Sequence, residues 1–330
     1  MKILHIVPGL NEGGNGIAVA AKLLAREQSK SGAEVEVVET RDFVHSNIRT
    51  IRTIEQFSEV WVHSMWLPMT LKACWKVLRN VRMFECSECS NARPKLVRMT
   101  HANLDPVRLG YHGWKKRLVA PIERWLFRRT DCVVVTCEAE KKWCQEWGLK
   151  NRFEIVDLKR FFDLKEKGEG RKEKGGGLHL LYLGRRHPLK GVEFLEQAVA
   201  KLNGEAVSRP LQKEEGSSPV RSGRETASPL INLRIVSDHF GAELERDWEW
   251  CDVLVLPTLS ENFGLVVAEA LERGKRVITT DGAPAWGEEA KAKGEGEQWR
   301  DRIIYLRGFR DGTDDERVEL LKEALEKVSG

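Results

Sequence analysis

The chain has 330 residues, 41% of them hydrophobic, which is enough for two ordinary cores, and no apolar run approaches the ~20 residues that a membrane span requires. Met1-Lys-Ile-Leu-His-Ile-Val7 runs into a Pro-Gly turn instead of a small-residue cleavage site, and the seven cysteines show no regular spacing, so the composition reads as a soluble, cytoplasmic protein without a disulfide framework. The net charge of +4 conceals an asymmetry: residues 1–160 carry 27 Lys and Arg against 18 Asp and Glu, and residues 161–330 carry 27 against 32.

Lys2–Val7 reads as an apolar strand, followed by the loop Pro8-Gly-Leu-Asn-Glu-Gly-Gly-Asn-Gly16, a helix over 17–30 and a strand over 34–39. In this βαβ opening Gly13, Gly14 and Gly16 lack a Cβ and let backbone approach a ligand. The generic alternative is a dinucleotide fingerprint with Glu39 as the ribose-binding acid, hence an NAD-dependent oxidoreductase. Against it, Val19 stands where the third glycine belongs.

Glu59–Ser64 is a further strand, and His63 reads as a satisfied strand-end histidine. Cys86-Ser-Glu-Cys89, with Cys74 nearby, has no second Cys-x-x-Cys or His pair to complete a zinc site and reads as thiols in a surface insertion. Lys95–Thr100 is a strand ending in His101-Ala-Asn-Leu-Asp105, where His101 is a candidate site residue. A basic amphipathic helix over 114–129 precedes the strand Asp131–Thr136, a helix opening at Glu138 and a strand at Phe153–Val156. The cations Lys115, Lys116, Arg117, Arg124, Arg128, Arg129, Lys141 and Lys142 suit a phosphorylated or lipid-linked acceptor or the anionic inner face of the plasma membrane; the plain alternative is a solvated face.

The polar stretch 163–177 reads as a linker between an N-terminal domain, 1–162, and a C-terminal domain, 178–330. The strand Leu178–Leu183 leads into Gly184-Arg-Arg-His-Pro-Leu-Lys-Gly191, where Arg185 can fork two phosphate oxygens and Lys190 adds a compact charge. Residues 205–229 show no period and read as a flexible insertion, replaceable by a short Gly-Ser link. After a strand over 233–236 and a helix over 242–250, Asp252–Leu256 reads as a strand buried on both faces. Ser260-Glu-Asn-Phe-Gly-Leu-Val-Val-Ala-Glu269 then reads as a loop and a helix, with Glu261 in the loop and Glu269 about two turns into the helix. A helix start at the carboxyl end of a parallel strand offers unpaired N–H groups to a phosphate. The strand Arg276–Thr280, the loop Asp281–Trp286, the strand Ile303–Leu306 and a helix over 316–328 complete the chain.

The run from Ser260 to Leu271 resembles the Glu-x7-Glu signature of retaining nucleotide-sugar glycosyltransferases of the GT-B fold, family 4. Gly184–Gly191 resembles the same family's Gly-Arg-x4-Lys-Gly, and His101–Asp105 its His-Gly-x-Leu-Asp, with Ala102 in place of the glycine. The resemblance implies an α/β fold of two facing Rossmann-like doubly wound domains, the second trimmed, with the active site between them. It implies transfer of a sugar from a nucleoside diphosphate to a hydroxyl of a glycan or glycolipid acceptor with retained configuration, in cell-surface polysaccharide, lipopolysaccharide or glycolipid synthesis. No metal, other cofactor or nucleic acid is expected. The resemblance assigns Arg185, Lys190, Gly13, Gly14 and Gly16 to the donor diphosphate, His101 and Glu261 to catalysis at the sugar, Asn262, Phe263, Gly264 and Leu265 to the sugar, and Glu269 to the ribose. A catalytically inactive sugar-nucleotide binder is the other rival.

Overall fold

Eleven strands among the described residues fall into two wholly parallel sheets, as the alternation of apolar runs with helical periods requires. The structure, a computed structural model, describes residues 1–10, 16–46, 54–83, 93–111, 113–164, 177–204, 231–287 and 298–329. Gly13, Gly14, Cys86, Cys89, most of the expected linker and the insertion 205–229 lie outside them.

The chain forms two units. The first comprises Met1–Asp163 with Ser260–Leu265 and Ala283–Lys293, and the second comprises the remaining segments. In the first unit β1 (Lys2–Val7), β2 (Glu34–Glu39), β3 (Glu59–His63), β4 (Lys95–Met99), β5 (Cys132–Val135) and β6 (Arg152–Ile155) are ordered β2-β1-β3-β4-β5-β6. The central strands are buried because helices cover both faces, whereas β2 presents Glu34 and Glu36 to solvent, the charge that keeps an edge strand from pairing. The strand order reverses between β1 and β3, the place where open α/β sheets hold ligands at their carboxyl ends.

In the second unit β7 (Leu178–Leu183), β8 (Ile231–Val236), β9 (Val253–Leu256), β10 (Arg276–Thr280) and β11 (Ile303–Leu306) are ordered β11-β10-β9-β7-β8. Every residue of β9, Val-Leu-Val-Leu, is buried, as a strand covered on both faces demands. Here the order reverses between β7 and β9, which pair in parallel at Leu180 with Val253 and Leu181 with Leu254. The two motifs that the sequence singles out therefore leave the carboxyl ends of adjacent strands.

One expectation shifts. The helix after the second motif begins at Leu265 and spans Leu265–Glu272, so Glu269 lies about one turn into it and not two. Gly264 takes φ 71° immediately before it, which uses one residue of the motif for the turn into the helix.

Candidate active site

In the second unit the loop after β7 is built around two glycines. Gly184 takes φ 146°, and the Tyr182 hydroxyl donates to the Arg185 carbonyl at 3.0 Å, folding the loop back on its strand. Gly191 takes φ 60°, and a Cβ there would stand 2.1 Å from the Pro257 carbonyl oxygen. Only glycine fits, and it lets the loop lie against the end of β9. Two further bonds fasten it: the Leu259 N–H (2.9 Å) and the Thr258 hydroxyl (3.0 Å) both donate to the Leu189 carbonyl. Arg185 is exposed and makes no ion pair among the described residues, whereas its neighbour Arg186 is committed to Glu196 through two bonds of 3.0 and 2.6 Å. Lys190 is half-buried, one residue before the turn into the helix Val192–Leu202. The Glu269 main-chain carbonyl accepts from Arg273 Nη1 at 3.2 Å, while its carboxylate accepts no hydrogen bond among the described residues, and burial raises that carboxyl above the ordinary carboxylate range, with the Arg273 charge opposing.

The rest of the second motif belongs to the first unit. Ser260 donates a short hydrogen bond to the buried carboxylate of Asp105 and accepts from Arg108 Nε at 2.9 Å. Arg108 Nη2 lies 3.8 Å from Glu261 Oε1, which also accepts the Asn262 N–H at 2.9 Å. The Asn262 amide faces Thr136 Oγ1 at 3.1 Å and His101 Nδ1 at 3.3 Å. Phe263 is buried beneath Trp286, ring centroids 5.0 Å apart, and the Trp286 indole N–H donates to the Phe263 carbonyl. Lys159 holds the Ala285 carbonyl at 2.9 Å. A Cβ on Gly16 would stand 3.8 Å from Leu265 Cδ1, an ordinary packing distance.

His101 and Ala102 take φ of 52° and 53°, so the backbone keeps a left-handed turn although alanine fills the position where the resemblance expects glycine. Glu140, itself buried, holds that turn. Its carboxylate accepts from Thr100 Oγ1 (2.6 Å), from the Ala102 N–H and from the Thr136 N–H (2.7 Å). Behind His101 runs a line of rings: His101 Nε2 lies 2.9 Å from His63 Nδ1, and His63 Nε2 lies 2.8 Å from His5 Nδ1. His5 Nε2 in turn meets Gln28 Oε1 at 2.7 Å. His63 is thus the satisfied strand-end histidine that the sequence indicates.

Burial keeps these imidazoles neutral. It lowers His5 to about 4 despite the bond to Gln28, His63 well below the ordinary 6.5, and His101 to about 3, where the Arg108 charge adds to the effect. In the unfolded chain all three would take up protons near pH 6.5, so the stability they contribute is fully present above that pH. It is lost as the pH falls towards their folded values. The expected outcome is a free energy of unfolding that falls between pH 6.5 and 4, by on the order of 1 kcal/mol per pH unit for each histidine and with it the melting temperature, and His5→Phe should flatten that slope in a melting series.

Sequence reasoning missed Arg108 and gave no role to Asp105, Thr136 and Glu140. The signal for the first two was the pattern Asp105-Pro-Val-Arg108, an N-cap and a charge on the short helix Pro106–Gly110 just after His101, with Asp105 accepting from the Val107 N–H at 2.9 Å. Glu39 accepts the Leu10 N–H at 2.8 Å, so the carboxylate that a dinucleotide ribose would need already fastens the start of the glycine-rich loop. Among the described residues no group of three or more His, Cys, Asp or Glu is arranged to hold a metal ion.

Residues 89–157 match a family described as a glycosyl transferase 4-like domain, and residues 177–306 match the glycosyl transferases group 1, the two together spanning more than half of the chain. A protein from Klebsiella pneumoniae, described as an uncharacterized 41.2 kDa protein in the cps region, is 27% identical over 187 residues. That match covers 51% of this chain and 48% of the relative, so it spans about half of the relative's length. Among solved structures, Anabaena Alr3699/HepE in complex with UDP and glucose superposes with a TM-score of 0.58 at 14% identity, over 99% of this chain and 90% of that one. Sucrose-phosphate synthase from Thermosynechococcus elongatus gives 0.53 at 14% identity, over 99% of each chain. The lipopolysaccharide outer core galactosyltransferase WaaB in its apo form gives 0.52 at 13%, over 100% and 92%. At such identities the structural likeness speaks for the fold, and the two Rossmann-like sheets are those of the GT-B class. With both matched segments and both motifs in register, the chain belongs to the group 1, family 4 glycosyl transferases.

Proposed function

We propose that the protein transfers a sugar from a nucleoside-diphosphate sugar to a hydroxyl acceptor with retained anomeric configuration, in the synthesis of a cell-surface polysaccharide, lipopolysaccharide or glycolipid. The observation that carries this reading is the pair of motifs leaving β7 and β9 at the point where the strand order reverses, with Gly191 seated on Pro257. Arg185 and Lys190 hold the diphosphate and offset the charge that grows as it departs. Glu269, neutral more readily than an ordinary glutamate, bonds the ribose hydroxyls. In the first unit Glu261, His101 and the backbone of 262–265 hold the sugar. As the anomeric carbon–oxygen bond breaks, the acceptor oxygen bonds that carbon on the same face and its proton passes to the departing phosphate oxygen. Arg185, Lys190 and the backbone N–H groups supply positive charge, so this reading uses no metal and no other cofactor.

The two glutamates of the motif separate the roles. Glu261→Gln keeps shape but removes negative charge beside a sugar that becomes partly cationic, so turnover should fall more than donor affinity. Glu269→Ala removes bonds to a ribose that changes little during reaction, so affinity should fall more than turnover. Donor titration and initial rates on both variants check this contrast. Equal losses in both quantities for both variants would overturn the reading.

The acceptor side of the proposal includes a lipid surface. On the helix Gly113–Phe127 the side chains of Trp114, Leu118 and Ile122 are 64%, 71% and 53% exposed at i, i+4 and i+8, a continuous apolar stripe among Lys115, Lys116, Arg117 and Arg124. An exposed apolar stripe flanked by cations is the pattern of a helix that lies in an anionic membrane interface. Trp114→Ser with Leu118→Ser should reduce co-sedimentation with anionic vesicles at least tenfold, since each buried side chain contributes roughly 1.5–3 kcal/mol. Unchanged sedimentation would remove the membrane from the proposal. No helix of the described residues is long and apolar enough to cross a membrane.

A further inference from the structure

The three buried histidines form a single hydrogen-bonded line with a side-chain amide at each end. A neutral imidazole has one N–H and one lone pair, so each bond in such a line fixes the next. Gln28 presents its carbonyl oxygen to His5 Nε2 at 2.7 Å, which makes Nε2 the donor and leaves His5 Nδ1 with the lone pair. His63 Nε2 must then donate to His5 Nδ1 at 2.8 Å, and His101 Nε2 to His63 Nδ1 at 2.9 Å. That leaves His101 Nδ1 bare. From the far end, the Asn262 NH2 faces His101 Nδ1 at 3.3 Å, the partner that a bare nitrogen needs. The two amides, on segments remote in sequence, demand the same direction.

We propose that Gln28, His5 and His63 are positioning residues that lock His101 in its neutral Nε2–H tautomer, so that Nδ1 accepts a hydrogen bond from a hydroxyl of the bound sugar where the Asn262 amide now stands. The inference rests on the reading of His101 as a sugar contact. Two features make the line a lock and not a proton conduit. Its inner end is an amide oxygen, which takes up no proton near neutral pH, and every ring in it is buried. Trp61 stacks on His5 with centroids 5.1 Å apart, and the three rings stack or tilt against one another at 5.1 and 5.2 Å, which holds their planes in register. His101 therefore acts as an acceptor that orients a hydroxyl, with no part as a proton-donating acid. The groups facing it are consistent with that role. Arg108, whose Nη1 donates to the His101 carbonyl at 3.3 Å, opposes any positive charge on the ring.

The test is the protonation pattern of the ring nitrogens in the full-length protein labelled with nitrogen-15 histidine, read by long-range proton–nitrogen correlation. His101 is assigned from a His101→Phe variant. The wild type should show one His101 species with Nε2 protonated and Nδ1 bare, unchanged across neutral pH. His63→Phe keeps a flat ring, somewhat larger than the imidazole, and breaks the line, and Gln28→Leu removes the acceptor three rings away without touching His101. Each is read in an Asn262→Ala background, which removes the amide that holds Nδ1 from the far end; both should then give a mixture of His101 tautomers with circular dichroism unchanged. Each alone should lower turnover by roughly tenfold to 100-fold, as when a partner that orients a functional histidine is lost. If His63→Phe does not fold, Gln28→Leu alone decides. A wild-type His101 that is mixed or protonated on Nδ1, or a single tautomer that survives both substitutions, overturns the lock. The spectra need no turnover, so a locked His101 in a protein without transfer activity would refute the proposed reaction and leave the lock standing.

Discussion

Arg185→Ala should lower turnover by ~10²–10³, the loss seen when one preorganised donor to a developing anion is removed. Arg185 is exposed at the strand-end loop, whereas Arg186 is spent on Glu196. The loop is fixed by bonds from Thr258 and Leu259 to the Leu189 carbonyl and by the close approach at Gly191, so truncating Arg185 removes charge without unfolding its support. Arg186→Ala is the matched control and should cost little, because an exposed ion pair contributes under about 1 kcal/mol. Initial rates of donor turnover for the two variants make the comparison. Rates for Arg185→Ala within threefold of wild type would remove that residue from the site.

The largest stability effect is expected at Glu123. Its carboxylate pairs with Arg98 at 2.6 Å, both side chains wholly inaccessible to solvent, and its other oxygen accepts the Trp66 N–H at 2.8 Å. Arg98 also donates to the Ser64 carbonyl at 3.1 Å and lies 4.1 Å over the Phe127 ring. This pair holds the left-handed residues Ser64 and Trp66, with φ of 76° and 68°, directly after His63. Glu123→Ala leaves a buried guanidinium without its counter-charge, which costs about 3–5 kcal/mol, or roughly 10 °C in melting temperature. The double replacement Arg98→Met with Glu123→Leu should recover much of that loss, because no unpaired charge is left inside. Calorimetry on the single and double variants checks both. A single variant as stable as wild type would mean that the pair is solvated.

Much of the second unit is legible in the sequence because its elements are punctuated. The strands Leu178–Leu183, Val253–Leu256, Arg276–Thr280 and Ile303–Leu306 stand where their apolar runs indicate, bounded by glycine, proline or charge. The helix Pro68–Met83 escaped the reading although Leu71, Cys74, Val77 and Leu78 recur at helical spacing, because basic residues between them blur the stripe. The helix Val192–Leu202 follows a left-handed glycine with no side-chain cap, so it lacks the usual start signal. The site divides in the same way. His101, Glu261 and Asn262 carried motif information, and the structure brings them together in one unit. Arg108 and His5 carried none, since each acts through partners dozens to more than a hundred positions away. Cys74, grouped with Cys86 and Cys89 as thiols of a surface insertion, is instead buried in the helix Pro68–Met83, where burial pushes its thiol up to about 11.

The central claim, a site built for a nucleoside-diphosphate sugar, is tested most directly by thermal stabilisation of the purified protein with a panel of such donors covering the common bases and sugars, alongside NAD. A ligand that binds only the folded state stabilises by about 2.7 kcal/mol at 100 times its dissociation constant. The account predicts that at least one nucleotide sugar raises the melting temperature, that Arg185→Ala abolishes the rise, and that NAD gives none. Stabilisation by NAD with no response to any nucleotide sugar would contradict it.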